Sequence, residues 1–143
     1  MSQTTTQASP DTTSTQTTHR IFICGSALRG QPDHDNLQSA TFLGATRTQA
    51  RYRLHAAEAG WHPAIYEVAE GGISIPGEIY ELTAAQFEYL LAHEPPHMYP
   101  ADVVTEDGTV LTAMLYPQAL VERYGWEDIS CHGGWAAYKA AAE

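Results

Sequence analysis

Glu94, followed at once by Pro95 and Pro96, is the first place in the chain where acid–base chemistry can be read. A carboxylate just past an apolar helix, pinned by two prolines and partly desolvated, has its pKa raised toward the range useful to a general base. The plainer alternative is a solvated loop glutamate. A second group of candidates is cationic. Of only seven Lys and Arg residues, Arg29, Arg47, Arg51 and Arg53 fall in or soon after the loop Gly25-Ser26-Ala27-Leu28-Arg29-Gly30-Gln31-Pro32. A guanidinium fork beside a turn rich in peptide N–H donors can hold a carboxylate. A loop that leaves the C-terminal end of a buried strand is also a common place for such donors to meet a substrate oxygen. The alternative for each arginine is an exposed pair with an acidic neighbour, which is worth little.

Metal and redox chemistry are poorly supported. None of the seven histidines forms H-x-H or H-E-x-x-H, and His93 and His97, the pair at helical spacing, have Pro95 and Pro96 between them. Cys24 and Cys131 lie far apart with no C-x-x-C spacing, so both are expected to be small, buried and reduced. Trp61, Trp126 and Trp135 are expected as partly buried core or edge aromatics. No metal and no cofactor is expected.

These residues need a frame, and the apolar pattern supplies one. Arg20 to Cys24 has the length and β-branched content of a buried strand that Gly25 stops. Phe42 to Ala56 reads as two strands meeting near Thr48 to Ala50, with Tyr52 and Leu54 on one face and Arg51, Arg53 and His55 on the other. Ala64 to Val68 and Ile75 to Leu82 add two more. Thr83 with Gln86 forms a capping-box pattern ahead of a helix from Ala84 to about Ala92, whose apolar stripe is Phe87, Leu90 and Leu91. Asp107-Gly108 marks a hairpin between Tyr99 to Thr105 and Val110 to Tyr116. A short helix is expected over Gln118 to Tyr124, and another from Trp135 onward. Strands in consecutive runs with helices late in the chain indicate an α/β (α+β) domain with a mixed sheet or small barrel, not a doubly wound parallel sheet.

The 143 residues fit one core once the N-terminus is set aside. Met1 to Thr18 is nearly all Ser, Thr and Gln, so it is expected to be a disordered tail ahead of a domain over residues 19–143. A formal charge of −10 argues against nucleic acid and anionic membranes as partners. With neither a signal sequence nor an apolar run of about 20 residues, the protein is expected to be cytoplasmic.

Cys24 to Gly30 resembles the Tyr-Gly-Ser-Leu-x-x-Gly loop of γ-glutamylcyclotransferases, with Cys in the Tyr place and Leu one position late. Gly25 to Pro32 is more similar still to the Gly-Ala-His-Leu-x-Gly-Gln-Pro segment of allophanate hydrolase C-terminal domains. That similarity continues through Thr46-Arg47-Thr48, Arg51-Tyr52-Arg53-Leu54, Ile75-Pro76-Gly77-Glu78-Ile79-Tyr80-Glu81-Leu82 and Gly133-Gly134-Trp135-Ala136-Ala137-Tyr138. The resemblance implies a γ-glutamylcyclotransferase-like mixed β-barrel of six or seven strands with flanking helices. Its pocket would open at the glycine loop, with Gly25, Ser26, Ala27, Leu28, Arg29, Arg47, Arg53 and Tyr99 binding substrate. Two departures pull apart: Ala27 replaces the His that decarboxylation requires in allophanate hydrolase domains, whereas Glu94 falls at the cyclotransferases' catalytic Glu.

The expected function is therefore small-molecule chemistry on a carboxylate-bearing amide or urea-type substrate, by a transferase or a lyase, with Glu94 moving a proton. The competing expectation is a non-catalytic anion-binding module serving a separate amidase. A homodimer and a partner amidase are the assemblies left open.

Overall fold

The computed structural model describes residues 18–37, 40–93 and 97–142. The strands are β1 (Thr18–Ile23), β2 (Thr41–Arg47), β3 (Tyr52–Ala57), β4 (His62–Glu67), β5 (Pro76–Thr83), β6 (Tyr99–Val104), β7 (Val110–Leu115) and the short β8 (Glu127–Asp128). The helices are α1 (Ala84–Ala92), α2 (Gln118–Tyr124) and α3 (Trp135–Ala142). A five-stranded sheet runs β2-β5-β1-β7-β6 and a three-stranded sheet runs β4-β3-β8. All named pairings are antiparallel except β1 with β7, so the larger sheet is mixed.

The strands expected on either side of Thr48 form, yet they belong to different sheets. β2 pairs with β5 and β3 pairs with β4. Side-chain alternation decides which residues face inward but carries no information on the partner strand. The seam between the sheets is closed by isolated bridges, Thr48 to Thr105 and Tyr52 to Ile73. Thr48, 1% exposed, accepts the Ile75 N–H on its Oγ1 at 2.9 Å, and the Tyr52 hydroxyl accepts the Val104 N–H at 3.0 Å. Each bond satisfies a buried polar group where neither sheet ladder reaches.

The core fills the space between sheets and helices. Ile21, Leu54, Ile75, Leu82 and Leu90 are fully buried, and Tyr52 and Leu54 share the inward face of β3 as the alternation requires. Helix α1 begins with the full capping box: the Thr83 hydroxyl accepts the Gln86 N–H at 3.1 Å and the Gln86 amide oxygen accepts the Thr83 N–H at 2.9 Å. The turn between β6 and β7 places Gly108 at φ 87°, a left-handed conformation that glycine adopts at no steric cost. Three expectations need correction. Thr18 is the first residue of β1, where it pairs with Thr83, and does not belong to a tail. Cys131 is exposed, whereas Cys24 is buried, because Cys131 sits in a short 3₁₀ turn outside the sheets. Trp61 follows a 3₁₀ turn and is 67% exposed, while Trp135 is buried. The expected tail, residues 1–17, lies outside the described residues. Among the described residues, no helix is long and apolar enough to cross a membrane.

Candidate functional site

β1 ends at Ile23 and the chain turns through the glycine loop. Leu28 N–H donates to the Gly25 carbonyl at 3.0 Å, Gln31 N–H donates to the Leu28 carbonyl at 2.9 Å, and Gly30 takes φ 85°. The loop is then tied to β5. Arg29 gives both its peptide N–H and its Nε–H to the Glu78 carboxylate, at 3.1 and 3.2 Å, and the Tyr80 hydroxyl adds a third donor at 2.9 Å. Burial pushes the Glu78 carboxyl up, but these donors and the Arg29 charge outweigh it and hold the group below its ordinary value. Burial and the Glu78 carboxylate push the Tyr80 phenol up to about 12.

The loop divides between two cavities. Gly25, Ser26 and Ala27 face a small one of about 40 Å³, lined otherwise by apolar groups that include Pro63, Ile65, Met98 and Met114. Pro63 packs so closely on Gly25 that a Cβ there would lie 2.0 Å from the proline Cγ. Leu28 and Arg29 instead line a much larger cavity of about 530 Å³, open to solvent on one side. Its other walls come from Ala45 and Arg47 of β2, from Pro76, Gly77 and Glu78 of β5, and from His132 to Ala137 at the start of α3. Gly77 permits β5 to lie against the end of β1, since a Cβ there would meet the Ile23 carbonyl oxygen at 2.4 Å. Gly134 likewise lets α3 sit on Pro76, whose strand partner is Arg47.

Arg47 differs from the other arginines at hand. Its Nε and Nη2 donate to the Ser74 hydroxyl and carbonyl at 3.1 and 2.9 Å, and no carboxylate among the described residues lies within 4.0 Å of it. Arg29 is matched by Glu78 and Arg51 by Glu67. Arg53 is placed away from both cavities. It is engaged by Asp128 at 2.7 Å and by the Gly71 carbonyl at 2.8 Å, because it projects from β3 in the smaller sheet. Tyr99, at the start of β6, is exposed and lines neither cavity. Glu94 lies outside the described residues. The sequence reading missed the wall made by His132, Gly133, Gly134 and Trp135. Two successive glycines before an Ala-rich helix were its available signal.

Comparison with known proteins agrees with this frame. The family described as "Allophanate hydrolase C-terminal domain" matches residues 19–140. Gamma-glutamylaminecyclotransferase C of Danio rerio is 32% identical over 78 residues, which make up 51% of this chain and 51% of that protein, so the match spans about half the relative's length. The crystal structure of a uropathogenic E. coli-specific protein superposes with a TM-score of 0.80 at 31% identity, covering 87% of this chain and 97% of that one. Allophanate hydrolase of Kluyveromyces lactis shares the fold, with a TM-score of 0.82 at 24% identity over 96% of this chain and 23% of the larger protein. The chain belongs to the allophanate hydrolase C-terminal domain family, within the γ-glutamylcyclotransferase-like superfamily.

Proposed function

We propose that this protein is an enzyme of the γ-glutamylcyclotransferase-like class that binds a small carboxylate-bearing amide or urea-type substrate in the 530 Å³ cavity. The observation that carries this reading is Arg47, a cavity-wall guanidinium with no carboxylate within 4.0 Å among the described residues, Glu106 being reached only through the Ser74 hydroxyl. Arg47 supplies the fork for a substrate carboxylate. Glu78, held below its ordinary value by the donors around it, orders the wall through Arg29. In cyclotransferase chemistry the substrate's own amine attacks its γ-carbonyl carbon, and a C–N bond closes the five-membered ring. Glu94 takes the amine proton, the scissile C–N bond breaks, and the departing amine receives a proton as 5-oxoproline forms. The role of general base is given to Glu94 by the resemblance to the cyclotransferases.

A second reading, a carboxylate-binding module serving a separate amidase, is favoured by Ala27, which puts a methyl group at the small cavity where the related domains carry a histidine. The two are separated by a paired binding and product assay on γ-glutamyl amino acids, γ-glutamyl amines and N-carboxylated ureas. For the enzyme, Arg47→Ala weakens binding, and Glu94→Gln preserves binding while turnover falls by roughly 10²–10⁴-fold. Binding without turnover in the wild type leaves the module.

A further inference from the structure

Arg47 is held along one edge of its guanidinium. Nε–H donates to the Ser74 hydroxyl at 3.1 Å and Nη2 donates to the Ser74 carbonyl at 2.9 Å. A guanidinium presents its N–H donors in one plane, along a side edge made by Nε with Nη2 and an end edge made by Nη1 with Nη2. Ser74 alone takes the side edge. The end edge, with Nη1 and the outer Nη2 proton, has no hydrogen-bond partner among the described residues. It is a fork of the kind with which arginine grips a carboxylate through parallel bonds.

Ser74 is itself fixed by the residues on either side of it. Ile73 exchanges two peptide hydrogen bonds with Tyr52, at 2.7 and 3.4 Å. Ile75 donates to the Thr48 hydroxyl at 2.9 Å and accepts the Thr48 N–H at 3.0 Å. Pro76, the strand partner of Arg47, has no N–H to give, so the Thr48 side chain continues the pairing of β2 with β5 where the ladder stops. The Ser74 hydroxyl proton has the Thr48 carbonyl at 2.6 Å and a Glu106 carboxylate oxygen at 3.2 Å as acceptors, which leaves the hydroxyl oxygen to accept from Arg47. Glu106 also donates its own N–H to the Arg47 carbonyl at 2.9 Å, so the turn between β6 and β7 braces the same corner.

This hold has a use at a binding site. Arg47 is exposed, and an exposed arginine left to itself spreads over many rotamers that a ligand must then freeze. We infer that Ser74 is a positioning residue: from the seam between the sheets it holds the side edge of the Arg47 guanidinium, leaving the end edge to receive the substrate carboxylate in the 530 Å³ cavity. The inference rests on the cavity being the working site, with Arg47 its carboxylate group. Ser74 does not line that cavity, so it acts on the ligand through Arg47 and not by contact.

The test is a titration of the full chain with propionate, in wild type, Ser74→Ala, Arg47→Lys and the variant carrying both changes, beside a proton–nitrogen spectrum of the Arg47 Nε–H. Ser74→Ala removes the acceptor of that N–H and keeps the backbone carbonyl. It is expected to weaken propionate about three- to tenfold, the scale set by one long side chain that must be immobilised on binding. The Arg47 Nε–H resonance of the free protein should broaden in the same variant. Lysine keeps the charge but has neither an Nε–H fork nor a plane to orient, so in the Arg47→Lys background Ser74→Ala should change nothing further. A serine with a merely structural role would weaken both backgrounds by the same factor, and that result would overturn the inference. Unchanged affinity in Ser74→Ala, or Arg47→Lys binding as tightly as wild type, would overturn it as well. Failure of the wider reading looks different: Arg47→Ala that binds propionate as wild type does would remove the carboxylate site from the cavity, and the positioning role with it. If Arg47→Ala loses affinity while Ser74→Ala keeps it, Arg47 remains the binding group and only the role of Ser74 falls.

Discussion

Arg29 and Glu78, 49 positions apart in the chain, meet through two hydrogen bonds that fasten the glycine loop to β5 at the mouth of the large cavity. The pair does two things at once. It orders the loop, and it cancels a charge that would otherwise be offered to a ligand.

Glu78→Gln separates those effects. It weakens charge-assisted bonds to the Arg29 peptide and side chain, a loss of about 1–2 kcal/mol after allowing for the exposure of Arg29. A fall in Tm of a few degrees is the expected cost. Carboxylate affinity should move the other way and rise, because the wall loses a negative charge. A calorimetric titration beside a thermal melt checks both, and weaker binding in the variant would show that loop order outweighs charge.

Arg53 and Asp128 should matter to stability and not to binding. Burial pushes the Asp128 carboxyl up, but Ser130 and Arg53 outweigh it and hold the group at about 2. An unfolded aspartate titrates near about 3.9, so the stabilisation is fully present above pH ~4 and is lost as pH falls toward about 2. Acid unfolding of Asp128→Asn should be less steep across that window than wild type. Propionate affinity of Arg53→Ala at neutral pH should match wild type, and a large loss would return Arg53 to the site.

The two cysteines should differ sharply toward alkylating agents. Burial pushes the Cys24 thiol up to about 12, so it presents almost no thiolate at neutral pH, whereas Cys131 is exposed. Native protein is expected to take up one iodoacetamide, and unfolded protein two. Rapid native labelling at Cys24 would mean that β1 opens near its end.

Gly77→Ala tests the contact that shapes the cavity floor. The new methyl would lie 2.4 Å from the Ile23 carbonyl oxygen and 2.5 Å from the Phe22 ring, so β1 and β5 must separate. Overpacking of this kind costs about 1–3 kcal/mol, visible as a lower denaturant midpoint. A midpoint equal to wild type would show that the strands part freely.

Much of the frame was legible in the sequence because its signals are local. The Thr83–Gln86 box, the Asp107-Gly108 turn and the boundaries of α1 and α2 all follow from residues within a few positions of each other. What was not legible depends on distant neighbours. The glycine loop looked like the rim of one pocket, yet with Pro63 packed on Gly25 it divides, so that Gly25, Ser26 and Ala27 line the small cavity and Leu28 and Arg29 the large one. Arg53 and Arg47 looked alike, but Asp128 pairs directly with one, while the other meets Glu106 only through the Ser74 hydroxyl. Both facts are set by strands paired far along the chain.

The same long-range pairing governs how the protein is made. β1 leaves the ribosome well ahead of both its sheet neighbours, the antiparallel β5 and the parallel β7, and Ile21 meets its partners Tyr80 and Thr112 only once both have been made. Until β5 has been made, Ile21, Phe22 and Ile23 have no sheet to enter. A nascent chain stalled before β7 would carry an apolar strand with one edge open, so chaperone demand should concentrate in that interval and fall once Thr112 has emerged.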